Sequence, residues 1–571
     1  MRVSTSQAVA LAAAIVVLGI TYWRSWYGVD LTDESFYVVL PYRVALGASP
    51  FVDETTVAQQ AGLLVLPFVW VWNELAGVEG VVLFVRHLQF LFSLLVAAAV
   101  FVSLRDVLRS GSAALLAAVA AVAFVPFDIH SLSYNTLGSG LFTIGVLLGF
   151  KSLSVGSRWW LVAAGLASGL AVFAYPSLVV AVVAAFAVRI ALEPTRWRRE
   201  TFAFGVPAFA VFAIAMGSVL ASAGIHAVSD GYHRSSKYLG HSGSVGKLGD
   251  VFDHWWSTLH YWYLALPAIV LLLLAWRSRR QLAVPLLLAL PLLVVPVSAG
   301  NVLDSYTSTL EYVAHYGALA PPLLVLVWPR VEARRLFAAV WVPALLAGLA
   351  TAWSSNNGGV NFGVGFLPAI FVTTAFLVWA LEDALAPQLV LWPALVVPAL
   401  LLVLGWPVYR DGPVETLDAT VSSGPYAGLQ TSLNKELWIE EISRDLDRVG
   451  RDCRIVIFRD FPGGYLLSHS EPDTNSAWIA TVAKDKTNAY QRTLVSYWSQ
   501  HGFPDVVALI RRIPYESRKV ARTERYRADT PLMRLVTSSY RRISTHYNYE
   551  LYQRRHGSAC HVAPPVTLPS G

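Results

Sequence analysis

The sequence predicts a polytopic α-helical membrane protein of about 13 transmembrane helices, with a small extracytoplasmic α/β domain at its C-terminus. Composition is the first ground: 55% of the 571 residues are hydrophobic, 14% are charged, and mean hydropathy is +0.52. Soluble domains average about 25% charged residues. Second, apolar runs approaching the ~20 residues a span requires recur from Ala8 to Trp406. Third, composition returns to ordinary polarity after Trp406, which divides the chain into a membrane domain, 1–406, and a tail domain, 407–571. The net charge of +6 comes from short Arg clusters between apolar runs, not from one basic face, so nucleic-acid binding is excluded as a reading.

Ala8 to Trp23 is the first run. Gly19-Ile20-Thr21-Tyr22-Trp23-Arg24 offers no small-residue cleavage site, so the segment reads as a retained span rather than a signal peptide. Further spans are expected at 80–104, 112–127, 136–150, 159–174, 177–192, 201–223, 261–276, 282–299, 313–328, 336–352, 364–381 and 388–406. With the N-terminus inside, alternate connections carry Arg105/Arg109, Lys151/Arg158, Arg196/Arg198/Arg199, Arg277/Arg279/Arg280 and Arg330/Arg334/Arg335. That is the Lys/Arg excess of cytoplasmic loops. Glu382-Asp383 is the exception. The opposite face takes loops 27–79, 128–135, 224–260, 300–312 and 353–363, together with the tail. The expected location is the plasma membrane, with the tail outside.

In the tail, Asn434 to Gly450 has helical spacing, and Arg454–Phe458, Val506–Ile510 and Tyr549–Tyr552 read as strands. Phe461-Pro462-Gly463-Gly464-Tyr465 reads as a turn, and Asp445-Leu446-Asp447 as the solvated face of the helix. Cys453 and Cys560 are the sole cysteines; outside the cytoplasm they either pair or stand as separate thiols.

The first outer loop is the most informative stretch. Val29-Asp30-Leu31-Thr32-Asp33-Glu34-Ser35-Phe36-Tyr37 places three carboxylates directly behind the first span. Glu34 to Ala48 has the spacing of a short interfacial helix interrupted at Pro41. Asp53-Glu54 then opens a second segment, apolar from Gly62 to Trp72, that reads as interfacial or re-entrant because of Pro67. Singly, Asp30, Asp33, Glu34, Asp53 and Glu54 read equally well as headgroup-level charges. Together they can hold a carboxylate against the outer leaflet, where it can deprotonate an acceptor hydroxyl.

Asp33-Glu34 followed by Tyr37, then Gly47-x-x-Pro50-Phe51-x-Asp53, then Arg86 early in the second span, resembles the GT-C class of integral-membrane glycosyltransferases. The pattern is similar to its protein O-mannosyltransferase and aminoarabinose-transferase branch. The resemblance implies a sugar donor carried on a polyprenyl phosphate and transfer on the outer face to a glycan, lipid or protein. It also implies Asp33 as catalytic base with Glu34 beside it. Asp30 and the Asp53-Glu54 doublet depart from the pattern as competing carboxylates.

A phosphate leaving group needs cationic or amide donors. Arg86 is one candidate, read alternatively as a structural partner of a loop acid; Arg234 and Lys237 are others, read alternatively as a basic patch on anionic lipid. His130 and Glu311, near Tyr134 and Tyr312, are candidates for sugar contacts. No cofactor is called for by any motif, and acids and histidines on one side leave a divalent metal open.

Two other classes compete. A transporter or lipid flippase with an outer sensor domain predicts mid-membrane charges and two related halves, but the apolar runs are nearly free of charge. A non-catalytic envelope scaffold leaves the first-loop acids without a role.

Overall fold

The computed structural model describes residues 4–238, 280–295, 306–319, 330–384, 386–458, 460–479, 489–514, 528–557 and 560–564, with a few isolated positions between them. Its contacts divide the chain into two compact units. One comprises Met1–Ser25, His87–Leu220 and Ser236–Pro407; the other comprises Trp26–Arg86, Ala221–Ser235 and Val408–Gly571. In this division residues 26–86 and 221–235 group with those after Pro407.

The first unit is helical. Its first helix, α1 (Thr5–Arg24), starts at a capping box in which Ser4 and Gln7 satisfy each other's backbone N–H groups. Among the described residues five helices are long and apolar enough to cross a membrane: Thr5–Arg24, Val81–Leu104, Tyr134–Val155, Pro194–His233 and Val331–Ser354. A sixth span arises if the pair Gly358–Phe366 and Pro368–Asp383, bent by 57°, counts as one. The protein is therefore a polytopic membrane protein. Five further apolar helices among the described residues have only 10–17 residues, including Gly111–Ala123 and Trp392–Leu404. At 1.5 Å rise per residue, a 13-residue helix reaches only ~20 Å of a ~30 Å hydrocarbon core. The expected span 261–276 and the end of 313–328 lie outside the described residues.

Small residues set the helix spacing. A Cβ on Gly145 would stand 2.4 Å from Ser168 Oγ, and one on Gly365 would stand 2.3 Å from the Ala347 carbonyl oxygen. Such close approach is how apolar helices gain dispersion contact in lipid. The expected outer loop from 224 is helical as far as Tyr238, the helix Val206–Tyr238 breaking at Gly224 in the left-handed region (φ 78°).

In the second unit the tail forms a five-stranded sheet: β3 (Arg454–Phe458), β4 (Glu471–Pro472), β5 (Val506–Ile510), β6 (Tyr540–Thr545) and β7 (Tyr549–Arg554), in the order β4-β3-β5-β7-β6. A two-stranded ribbon, β1 (Ala419–Thr420) and β2 (Gln430–Thr431), precedes it. β3 and β5 pair in parallel, Ile455 opposite Val506 and Phe458 opposite Leu509. Parallel pairs need cover on both faces, which explains their unbroken apolar runs. Trp498 and Leu494 from the helix Ala489–His501, with Leu532 and Val536 from Pro531–Ser539, pack on Val456, Phe458, Val507 and Leu509. Asp445, expected on a solvated face, is buried, with its carboxylate accepting from Tyr549 (3.1 Å) and Ser544 (2.8 Å). The expected turn at 461–465 continues as a single helical turn, Gly463–Leu467. Cys453 and Cys560 form a disulfide.

Candidate active site

The helix α2 (Asp33–Ala45) carries the acidic loop, and its start is made by Asp30. One Asp30 oxygen accepts from the Thr32 backbone N–H (2.9 Å) and the other from that of Glu34 (2.7 Å). These are orphan donors of the first turn, where negative charge also meets the positive end of the helix dipole. Ser35 Oγ donates to the Asp30 carbonyl oxygen and lies 2.6 Å from the Tyr426 hydroxyl. Asp30 is thus a buried helix-capping carboxylate.

Residues Glu34 through Arg43 are all buried, so α2 is an internal helix of its unit rather than a half-submerged interfacial one. It is covered by α3 (Gln59–Ala76), where a Cβ on Gly62 would stand 3.1 Å from Leu40 and from Pro41. It is also met by the tail turn, where Gly463 N–H donates to the Leu31 carbonyl oxygen (3.1 Å) and any Cβ would strike the Tyr426 hydroxyl.

Glu34 is 1% exposed and holds Arg86 through two bonds, Nε to Oε1 at 2.7 Å and Nη2 to Oε2 at 2.6 Å. Arg86, in α4 (Val81–Leu104), also donates to the carbonyl oxygens of Tyr27 and Gly28. This is the loop-acid partnership weighed for Arg86 from sequence. Glu54 accepts from Arg43 and from the backbone N–H groups of Thr56 and Ala477; burial raises its pKa. Asp53 accepts from the Ser49 N–H at 2.7 Å and folds its own loop.

Asp33 differs. Its Oδ2 accepts from the Tyr409 hydroxyl at 2.5 Å and stands 3.1 Å from Arg410 Nη2. Its side chain keeps 24% exposure and that of Arg410 25%. The carboxyl is therefore largely walled by protein yet partly open to solvent. Burial raises its pKa to about 6, opposed by Arg410 and by the Tyr409 hydrogen bond, and assisted by the charges of Asp30 and Asp460. An acid poised there is half-ionised near pH 6 and a usable general base at neutral pH.

The residues facing Asp33 come from the segment after the last apolar helix. Arg410 has left-handed backbone (φ 53°), and its guanidinium also donates to the Thr32 hydroxyl. Lys435, from the helix Leu433–Asp447, holds that segment through the carbonyl oxygens of Val29 (2.9 Å) and Arg410 (2.7 Å) and an ion pair with Asp411 (3.2 Å). The Asp411 carboxylate further accepts from Val29 N–H and Thr431 Oγ1. None of Tyr409, Arg410, Asp411 or Lys435 is picked out by the sequence analysis. A cation in the first turn of a helix opposes the dipole unless it has a partner, so Lys435 carried a usable signal.

His130 and Glu311 belong to the other unit. His130 is buried and lines a small cavity with Arg24, Thr21 and Trp406, while Glu311 accepts from Thr307 Oγ1 at 3.2 Å. The side chains of Arg234 and Lys237 lie outside the described residues. Their neighbour Tyr232 is placed with the acidic loop's unit, donating to Gln60 at 3.0 Å and stacking on Phe51. Sequence reading also passes over Asp128, a buried carboxylate on left-handed backbone. Among the described residues no group of three or more His, Cys, Asp or Glu could hold a metal ion.

No protein-family model matches the chain, and no curated protein matches it significantly. Among solved structures it is similar to the crystal structure of ArnT from Cupriavidus metallidurans in the apo state. The identity is 15%, 96% of this chain and 98% of that chain are covered, and the TM-score is 0.46. A likeness of that degree establishes neither family nor activity.

Proposed function

We propose that the protein is a membrane glycosyltransferase of the GT-C kind, moving a sugar from a polyprenyl-phosphate carrier to an extracytoplasmic acceptor. The observation that carries this is the isolation of Asp33. Of the five acids singled out in the first loop, Asp30, Glu34, Asp53 and Glu54 have carboxylates engaged in folding the loop, and Asp33 alone combines partial exposure with a pKa near 6. The residue order around it is the order that resembles the GT-C pattern, and the chain has the apolar helices of a membrane enzyme.

In the proposed step the Asp33 carboxylate removes the proton of the acceptor hydroxyl as its oxygen bonds to the anomeric carbon. The carbon–oxygen bond to the phosphate breaks, and its electron pair leaves on the phosphate oxygen. The products are the glycoside, with inverted anomeric configuration, and polyprenyl phosphate. The disulfide supports placing the tail in an oxidising compartment outside the cytoplasm.

The test is incubation of the full-length protein in liposomes with a panel of purified polyprenyl-phosphate sugars. Consumption of one of them with release of polyprenyl phosphate is expected. Consumption of none by folded protein supplied with envelope acceptors would remove the proposal.

A further inference from the structure

We propose that two basic turns of the first unit, at 156–158 and 193–199, form a seat for an anionic phospholipid. Its phosphate rests on Arg158 and Arg198, and its chains lie on the apolar helix that follows. The inference is independent of the glycosyl-transfer reading. Both turns belong to the connections whose Lys/Arg excess is expected on the cytoplasmic side.

The two turns are fixed to each other. Arg199 Nη2 donates to the Gly156 carbonyl oxygen at 2.6 Å. Arg189 donates to the Gly149 carbonyl oxygen and to Ser152 Oγ (2.8 Å), and pairs with Glu200 at 2.8 Å. Both partners of that ion pair are buried, and a buried pair with its donors filled is expensive to rearrange. A Cβ on Gly165 would stand 2.3 Å from the Phe204 carbonyl oxygen, so the helices leaving the two turns are in backbone contact. The turns therefore present one surface rather than two loose loops.

The acids of this surface are already committed. Glu200 is held by Arg189, and Glu193 faces both Arg196 and Arg335 at 3.7 Å. Arg158 and Arg198 are exposed, and among the described residues neither has an ion-pair partner. Each guanidinium lies over the ring of its neighbouring tryptophan, 5.0 Å from Trp159 and 5.4 Å from Trp197. Stacking of this kind orients a guanidinium and leaves its N–H edge for phosphate oxygens.

The adjoining surface identifies the anion as a lipid. Trp159 and Trp197 are exposed, and tryptophan settles at headgroup level. The helix Pro194–His233 leaves from the second turn, and only 6% of its most apolar stretch is buried. Phe202, Val206 and Phe209, at i, i+4 and i+7, are exposed along it. Cations, indoles and apolar face thus follow one another in the order in which phosphate, glycerol and acyl chains cross a leaflet. A soluble anion would use the arginines and leave the apolar face uncovered.

The experiment is binding of radiolabelled phosphatidylglycerol and phosphatidylcholine to the full-length protein in a neutral detergent. A basic side chain beside an anionic headgroup is worth about 5-fold in affinity. Wild type should therefore prefer phosphatidylglycerol about 25-fold. Arg158→Gln with Arg198→Gln should lose that factor at an unchanged thermal midpoint, and Arg158→Lys with Arg198→Lys should keep most of it. Phe202→Ala with Phe209→Ala should weaken both lipids alike. Unchanged phosphatidylglycerol binding in the folded Gln variant overturns the proposal. So does displacement by an equal concentration of sn-glycerol 3-phosphate, which would make this a site for a soluble anion. Salt at about 1 M should weaken phosphatidylglycerol alone in wild type. Equal binding of the two lipids, or a ratio that salt does not move, overturns the proposal without any variant.

Discussion

The Asp33 carboxylate accepts the Tyr409 hydroxyl at 2.5 Å and the Arg410 guanidinium at 3.1 Å, two neighbours in sequence that lie more than 370 residues downstream of it. Both contacts stabilise the ionised form, and burial works against them and prevails, leaving the pKa at about 6. A base must be ionised, so kcat/KM should rise with pH through an acid limb near 6. Tyr409→Phe removes one stabilising contact and should move that limb upward. A limb unchanged in Tyr409→Phe, or one near the ordinary carboxylate value of about 4, would contradict the assignment.

The pair Glu34–Arg86 is predicted to hold the fold rather than to take part in the reaction. With side chains 1% and 4% exposed, removing one partner leaves a buried charge, at a cost of about 3–5 kcal/mol. Glu34→Gln and Arg86→Met should each lower the thermal midpoint sharply. Arg86→Lys should not restore it, because an ammonium cannot reproduce the two parallel bonds. Thermal unfolding in detergent checks both; an Arg86→Lys protein as stable as wild type would count against the bidentate role.

Lys435→Met should act through Arg410. Its loss strips the Asp411 carboxylate of its cation and frees the Arg410 carbonyl oxygen. The expected result is a lower midpoint together with a raised acid limb, because the Arg410 charge is no longer held at Asp33. A lower midpoint with an unmoved limb would make Lys435 a purely structural residue.

The disulfide closes a loop of 107 residues in sequence separation. Chain entropy alone assigns a loop of that length about 4–5 kcal/mol. Cys453→Ser with Cys560→Ser should therefore unfold the sheet of β3, β5 and β7 at markedly lower denaturant concentration. Equal midpoints with and without reductant would show that the bond contributes nothing.

Much of the architecture was legible because it rests on periodicity. The helices near 80–104, 136–150 and 159–174, and strands β3 and β5, stand within a few residues of expectation, since continuous apolar runs admit few alternatives. Helix length was less legible: Gly111–Ala123 ends three residues before Pro126, inside the apolar run expected at 112–127. Strand β6, Tyr-Arg-Arg-Ile-Ser-Thr, is polar on its exposed side and pairs only as the edge partner of β7, so it gives little local signal. In the site, Asp33 and Glu34 were visible as a local pair. Tyr409, Arg410 and Lys435 were not, because their contacts with the loop span more than 370 residues and no local pattern encodes them.

The most direct test of the account compares wild type with Asp33→Asn in liposomes containing the polyprenyl-phosphate sugar and its acceptor. A positioned general base contributes about 10²- to 10⁴-fold. A loss of transfer of that size is predicted, with polyprenyl-phosphate binding and thermal stability retained. Transfer at the wild-type rate by folded Asp33→Asn would contradict it.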